Sequence, residues 1–148
     1  MERAARSSFL RAKMSTAIDS SVLWSVFRGE SDARAWVDLL VFARRESSLV
    51  VCDVVFAEIT PFFRNLEEVS FRLESLGIEY DAVDRASAFM AGEVFKTYRK
   101  EGGPRVHFIP DFIVGAHALN QAGSLAARDR GYLRRYFPQL RILAPESF

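Results

Sequence analysis

The stretch that decides the fold is STAIDSSVLWSVFRG, residues 15–29. Ser15–Ile18 predicts a short buried strand, and Ser20–Phe27 predicts an apolar helix that stops at Gly29. A single residue, Asp19, separates the two. A strand that passes directly into a helix is the first half of a βαβ unit, so this stretch predicts an α/β fold with parallel strands.

The same alternation continues along the chain. Further strands are predicted at Leu49–Cys52, Ile78–Tyr80, Leu125–Ala127 and Arg141–Ala144. Further helices are predicted from Asp32 to about Arg45, from Asp53 through Glu58, and over Leu66–Leu76, Asp84–Lys100 and Asp111–Gln121, with a turn at Gly123. We therefore predict a three-layer α/β domain, in which helices cover both faces of a central parallel sheet.

The composition is that of one globular domain. The chain has 148 residues, of which 49% are hydrophobic and 26% charged, and this is enough to bury one core. Residues 1–13 are basic and are predicted to be a flexible leader or an upstream-start extension, so that the domain spans residues 14–148. The rest of the chain is slightly acidic, and any nucleic-acid binding must come from local patches.

The cysteine content and the hydropathy indicate the cell compartment in which the protein is expected. Cys52 is the only cysteine, so no intramolecular disulfide can form and a reducing cytoplasm is the natural setting. No apolar run approaches the roughly 18 residues that are needed to span a membrane. We expect a cytoplasmic protein without a membrane partner.

Four carboxylates occupy positions that are hard to explain without a cation: Asp19, Glu58, Asp111 and Asp129. The first three lie in apolar stretches with no lysine or arginine, which cover residues 14–27, 46–63 and 106–127. A buried, unpaired carboxylate is costly or becomes protonated. A divalent cation resolves this conflict, and oxygen donors of this kind suit Mg²⁺.

The predicted topology brings these carboxylates to one edge of the sheet. Asp19 directly follows the first strand and so lies at the carboxyl edge, where α/β sites form. A helix of about 11 residues from Asp111 descends roughly 16 Å, and the next strand returns about the same distance, which brings Asp129 back to the level of Asp111. Glu58 lies roughly 7 Å below that edge, a depth that its long side chain can bridge.

Simpler explanations exist for some of these residues. Asp111 follows a proline at a helix start and could be only an N-cap, and Asp53 is best explained in that way. Asp129 is flanked by Arg128 and Arg130 and could belong to a surface ion pair. Asp19 and Glu58 have no comparable local explanation, so the joint placement of all four residues carries the metal-site hypothesis.

At these residues the chain resembles PIN-domain ribonucleases, and most of all the VapC-type toxins of toxin–antitoxin pairs. The matching segments are AIDSSVL, VVFAEI, IPDFIVGAHAL and LAARDRGYLRRYFPQLRI, in the order found in the family. The resemblance implies a parallel five-stranded sheet and a metal-dependent endoribonuclease that uses Mg²⁺ or Mn²⁺. It assigns the catalytic and metal-binding quartet to Asp19, Glu58, Asp111 and Asp129, with Ser20 in a supporting role.

One position departs from the family pattern. The family often has Thr or Ser two residues before the last aspartate, where this chain has Ala127. The change removes a hydroxyl that could contact the metal site. Since the four acids are kept, we expect activity to be retained at a reduced level.

Several side chains near the quartet are candidates for contacts with the substrate. Arg128, Arg130, Arg134 and Arg135 are predicted to hold RNA phosphates, with solvated surface charge as the alternative. Tyr132, Tyr136 and Phe137 could stack on bases, but core packing explains them better. His107 and His117 are not expected to be ligands, because hard Mg²⁺ disfavours imidazole.

The family also implies partners: a VapB-like antitoxin whose tail covers the acidic pocket, the RNA substrate and a second copy of the chain in a homodimer. Large apolar residues give modest support, because the first two helices and the Pro61–Leu76 region hold more of them than a small core requires. They are Trp24, Phe27, Trp36, Phe42, Phe62 and Phe63. We hypothesise that these regions form the antitoxin and dimer surfaces, while burial in the core is the default explanation for each of these residues.

Other functions compete with this one. A catalytically weak PIN-like module that binds metal, RNA or a partner without turnover is the main alternative, and Ala127 is its support. A phospho-receiver domain needs adjacent acids after the first strand, whereas Ser20 and Ser21 follow Asp19. A haloacid-dehalogenase-type phosphatase needs Asp-x-Asp, and Ser21 occupies the position of its second acid.

Overall fold

A computed structural model describes residues 15–128 and 131–145. Within them, five parallel strands form one sheet. The strands are β1 (Ser15–Ile18), β2 (Leu49–Val51), β3 (Ile78–Tyr80), β4 (Gly123–Ala126) and β5 (Arg141–Leu143). Their order across the sheet is β3-β2-β1-β4-β5, so the predicted parallel α/β fold and the five-stranded sheet implied by the resemblance are both confirmed.

Helices connect the strands and cover the sheet. They are α1 (Ser20–Arg28), α2 (Ala33–Glu46), α3 (Asp53–Ile59), α4 (Leu66–Ser75), α5 (Arg85–Lys100), α6 (Ile109–His117) and α7 (Tyr132–Tyr136). A 3₁₀ turn at Thr60–Phe62 follows α3, and a π-helical turn at Ala118–Ala122 follows α6. No helix in the described ranges is long and apolar enough to cross a membrane.

The first predicted unit matches the structure closely. β1 has the predicted bounds, and Gly29 ends α1 in the left-handed conformation, with φ of 63°. Its amide donates to the carbonyl of Val26. The glycine is suited to this position because a side chain would be strained there.

The segment around Gly123 differs from the prediction. Gly123 was predicted to turn the chain before a strand at Leu125–Ala127, but it is itself the first residue of β4 and pairs with Ser15. The reversal occurs earlier, in the π-helical turn, whose residues give no loop signal in the sequence. Helix α6 accordingly ends at His117 instead of continuing to Gln121.

Strands β1 and β4 lie at the centre of the sheet, and this position decides where a site can form. The chain moves outward from β1 through β2 to β3, then crosses back to β4 on the other side of β1. The carboxyl ends of β1 and β4 therefore flank the point at which the strand order reverses, where α/β proteins form their binding sites. The predicted leader at residues 1–13 lies outside the described residues.

Candidate active site

Asp19 occupies the position between β1 and α1, at the reversal point of the sheet. Its amide donates to the carbonyl of Ala126 at 3.0 Å, which extends the pairing of β1 with β4 by one residue. It is the N-cap of α1, but its side chain does not cap the helix. The carboxylate instead accepts a hydrogen bond from the Ser21 hydroxyl, with Oγ 2.5 Å from Oδ2.

Glu58 comes from α3, which packs against both α1 and α6. Val55 and Ile59, on the same helix, are buried in the core, and this anchors the helix face beside Glu58. The Glu58 side chain is half-buried and lies within electrostatic range of Asp19 and Asp111. Glu58 therefore lies near enough to both aspartates for their charges to affect its pKa, while the grouping of all four acids in one site stays a prediction.

Asp111 is the third residue of α6, so it is not the N-cap that the sequence allowed as an alternative. Phe108 holds the N-cap position, and its backbone amide donates to Oδ2 of Asp111 at 3.0 Å. The His107 ring nitrogen Nδ1 lies 3.6 Å from the same oxygen. Asp111 thus satisfies a free amide of the helix start with one carboxylate oxygen.

The surroundings of Glu58 disfavour the charged form of its carboxyl group. Burial raises the pKa of Glu58, and the negative charges of Asp19 and Asp111 raise it further. The buried Ser20 hydroxyl acts in the opposite direction and lowers this pKa. No lysine or arginine of the described ranges forms an ion pair with any of the three carboxylates.

The donor set fits a hard divalent cation held partly through water. No three acidic, histidine or cysteine side chains of residues 15–128 and 131–145 converge tightly enough to enclose a metal ion directly. The pKa of Glu58 nevertheless responds to both aspartates. Mg²⁺ is typically bound by one or two carboxylates and keeps several waters. The two observations are therefore consistent with a cation that contacts some carboxylates directly and others through its waters.

Asp19 and Asp111 share a feature that suits such a cation. Each has its Oδ2 occupied by a local donor, the Ser21 hydroxyl in one case and the Phe108 amide in the other. In the part of the chain that the structure describes, no donor is assigned to either Oδ1. Each carboxylate is therefore oriented through one oxygen while the other remains available for a cation.

The remaining predicted residues differ in what can be said of them. Asp129 and Arg130 lie outside the described residues, so their place in the site stays a prediction. Ser20 is buried, and its hydroxyl acts to lower the pKa of Glu58, so its supporting role stays a prediction. Ala127 is fully buried, and its amide donates to the carbonyl of Leu143.

The arginines predicted to bind RNA are partly engaged within the protein. Arg128 forms ion pairs with Asp32 at 2.7 Å and with Glu30 at 3.4 Å. Together with hydrogen bonds from Ser25 and Trp36, it lowers the pKa of Asp32; the Ser25 bond contributes most. Arg135 pairs with Glu101 at 3.2 Å, and Arg134 is exposed.

The aromatic residues and histidines near the end of the chain have mainly packing roles. Phe137 is fully buried, as the core-packing interpretation predicts. The phenol of Tyr136 donates to Glu101 at 2.6 Å. His117 is buried against Asp81, with Nε2 2.9 Å from the carboxylate, and Tyr132 stacks on His107 with ring centroids 3.8 Å apart.

Three residues of the site were missed at the level of the sequence: Ser21, His107 and Phe108. Ser21 was noted only as a departure from other families, although a hydroxyl two residues after an aspartate commonly bonds to it. His107 precedes Asp111 by four residues, a spacing that allows side-chain contact near a helix start. The amide of Phe108 gives no signal in the sequence, because any residue type supplies it.

The parallel sheet with acidic residues at its reversal point defines a class of α/β domain, and a family comparison identifies it. The family model of the PIN domain matches residues 16–138. This covers most of the chain, from β1 through α7. The chain therefore belongs to the PIN domain family.

Solved structures share the same fold. The crystal structure of VapBC2 from Rickettsia felis bound to a DNA fragment from their promoter matches with a TM-score of 0.66 and 14% identity, over 87% of this chain and 97% of that chain. VapBC-1 from nontypeable Haemophilus influenzae has a TM-score of 0.66 and 15% identity, over 89% and 98%. FitAcB from Neisseria gonorrhoeae matches with a TM-score of 0.59 and 17% identity, over 90% of this chain and 99% of that chain.

The comparison with curated proteins finds no relative. No curated protein matches the chain significantly. At 14–17% identity the three solved structures establish the shared fold, and the activity has to be argued from the site itself.

Proposed function

We propose that this protein is a VapC-type toxin, a metal-dependent endoribonuclease that cleaves single-stranded loops of structured RNA, such as transfer or ribosomal RNA, and so inhibits translation. The cofactor would be Mg²⁺ or Mn²⁺. The free, buried Cys52 is compatible with the reducing cytoplasm in which such an enzyme would act.

The observation that carries the proposal is the strained charge state of Glu58. Its pKa is raised by burial and by the charges of Asp19 and Asp111, with no lysine or arginine of the described residues paired to them. A stable fold does not need such an arrangement, whereas a site for a divalent cation does. Unfavourable clusters of this kind are typical of functional sites.

The residues would divide the work as follows. Asp19 and Asp111 would be the principal ligands, each oriented by the donor on its Oδ2. A cation held there would polarise a phosphate oxygen and increase the acidity of an attacking water. Glu58 and Asp129 would act partly through water, by orienting the nucleophile.

Partners enter the proposal through the related complexes. The similar solved structures include two that are named VapBC and one that is named FitAcB. We infer that this chain also pairs with a VapB-like antitoxin, whose tail would cover the acidic pocket, and that two copies form a homodimer. The helices α1 and α2 and the Pro61–Leu76 region would provide these surfaces.

The test is RNA cleavage by the purified protein with Mg²⁺ or Mn²⁺. Wild-type protein should cleave a fluorogenic RNA, and chelator should abolish the cleavage. Asp19→Asn should lower the rate by more than the roughly 10- to 100-fold expected when a residue that supports a ligand is changed. Full activity of Asp19→Asn in this assay would contradict the assignment.

A matched control and a second readout separate loss of the metal from loss of the fold. Asp53 also lies at a strand end, as the first residue of α3, but its carboxylate accepts the Val83 amide at 3.2 Å, so Asp53→Asn should remain active. At about 100 times its dissociation constant, Mn²⁺ should stabilise wild type and Asp53→Asn by about 2.7 kcal/mol. Asp19→Asn should show little of this stabilisation. Metal binding without any cleavage would instead favour the regulatory-module alternative that Ala127 suggested.

A further inference from the structure

The loop between α5 and α6 is firmly attached to the protein. The Tyr98 phenol donates to the carbonyl of Pro104, and a Cβ at Gly103 would lie only 2.5 Å from the Tyr98 ring. Further along, His107 stacks on Tyr132 with ring centroids 3.8 Å apart and planes 27° apart. The loop is therefore held at both ends by aromatic packing.

The end of this loop and the first residue of α6 keep large apolar side chains in solvent. Val106 is 65% exposed, Phe108 58% and Ile109 38%. The anchors hold the loop in place, so these side chains cannot turn inward without breaking the packing of His107 or Tyr98. Exposed apolar residues grouped in this way mark a binding surface more often than isolated ones do.

Phe108 adjoins the acidic cluster directly. Its backbone amide donates to Oδ2 of Asp111 at 3.0 Å. The residue that carries the ring is therefore in direct contact with a candidate metal ligand. Arg105, on the same loop, is exposed and has no assigned ion-pair partner among residues 15–128 and 131–145. An exposed aromatic residue and an exposed arginine thus stand within six residues of Asp111 in the chain, and the aromatic residue is hydrogen-bonded to Asp111 through its backbone.

We propose that Phe108 forms a nucleobase-binding subsite, on which one unpaired base stacks when the neighbouring phosphate lies at the acidic cluster. The inference rests on the proposed nuclease function and adds to it the means of recognising a single strand. A base in a duplex has both faces covered, whereas an unpaired base offers a face to an aromatic side chain. Arg105 would hold a phosphate of the same strand.

The test compares exposed phenylalanines at two places in the molecule. Phe89 on α5 is 71% exposed but lies 11 residues before the end of that helix, roughly 16 Å from the loop. Phe108→Ala should raise the KM for cleavage of a short unstructured RNA roughly 5- to 150-fold, the effect of losing one stacked base. Phe108→Trp should stay within a few-fold of wild type, and Phe89→Ala should not change KM.

Binding measurements identify the contact with the base. Fluorescence anisotropy of a labelled, unstructured RNA on Asp19→Asn protein should show the same loss for Phe108→Ala and none for Phe89→Ala. An RNA that carries an abasic nucleotide at the stacked position should bind the Asp19→Asn protein equally well with and without Phe108→Ala, because the base is already missing. Thermal melting checks that Phe108→Ala remains folded.

Each outcome decides between the two proposals. If wild type cleaves RNA and Phe108→Ala does so with an unchanged KM, the subsite is wrong while the nuclease function stands, and the apolar patch then faces a protein partner. An equal loss in Phe89→Ala would also overturn the subsite. If wild type neither cleaves nor binds RNA, the proposed function fails and the subsite fails with it.

Discussion

Glu58 shows how the charged form of a single half-buried residue can oppose folding. Burial and the charges of Asp19 and Asp111 favour its protonated form, so its pKa in the folded chain lies above the ordinary value. The folded state therefore binds this proton more tightly than the unfolded state does. Protonation of Glu58 therefore contributes to the stability of the folded state. This contribution is fully present below the ordinary pKa of glutamate and is lost as the pH rises through the raised pKa.

This sign gives a prediction for Glu58→Gln without metal. The variant should be more stable than wild type at pH 7–8, by about 1 kcal/mol or roughly 2–4 °C in melting temperature for a domain of this size. The difference should disappear near pH 4, where Glu58 is protonated in wild type. Melting curves recorded in chelator at several pH values provide the measurement.

A matched control is available on α5. Glu93 is exposed, so Glu93→Gln should change the melting temperature little at any of these pH values. A Glu58→Gln protein that melts below wild type at neutral pH would show that the charged carboxylate is stabilising. The clustered-anion description of the site would then be wrong.

At the scale of elements, α6 depends on a close approach that only glycine allows. Gly115 is buried on this helix, and a Cβ there would lie 2.5 Å from the ring of Phe137. Phe137 is itself fully buried, so its ring has no free space to enter. The contact fixes the helix that carries Asp111 against the segment that follows α7.

Two glycine-to-alanine changes should therefore have opposite effects. Gly92 lies on α5 with nothing within 4 Å of its would-be Cβ, so Gly92→Ala should stabilise the protein by up to about 1 kcal/mol through helix propensity. Gly115→Ala should destabilise it, because overpacking of about 1–3 kcal/mol outweighs the same propensity gain. Chemical denaturation of both variants measures the two signs.

The combined variant Gly115→Ala with Phe137→Leu tests the cause. The smaller side chain at position 137 should recover part of the loss if the steric contact is responsible. A Gly115→Ala protein as stable as wild type would show that the two elements can separate at little cost.

At the scale of the whole molecule, several apolar residues are not covered by the single chain. On α4, Leu66 and Phe71 are largely exposed, at 64% and 69%. Trp36, one of the interface candidates, is buried in the core, which was the default explanation for these residues, and its indole nitrogen donates to Asp32. The proposed dimer surface therefore has to rely on the other residues of this region.

Light scattering can test that surface. If the Pro61–Leu76 region forms the homodimer, wild type should have twice the 16.8 kDa mass of one chain, and Phe71→Asp should reduce it to one chain. Phe89→Asp, at an equally exposed phenylalanine on α5, should leave the dimer intact. A wild-type monomer at micromolar concentration that also fails to bind an antitoxin would remove both proposed surfaces.

Much of this architecture could be predicted from local patterns. The five short apolar runs predicted all five strands. Asp19 was predicted to lie at the edge of the sheet because a strand ends immediately before it. Sequence patterns did not predict features that depend on the backbone and not on the type of side chain. The π-helical turn after α6 shifted the start of β4 to Gly123, and the amide of Phe108 is independent of residue type.

The sequence alone determined the order of the five strands, the parallel sheet and the identity of the candidate acids, because each depends on periodicity or on a residue beside a strand end. It did not predict the short helix α7. Only the tertiary structure decided which groups act on one another. The charge coupling of Glu58 to Asp19 and Asp111, the contact of His107 with Asp111 and the burial of Trp36 join residues through packing between elements. Such contacts arise from the three-dimensional arrangement of helices on the sheet, which local sequence patterns do not encode.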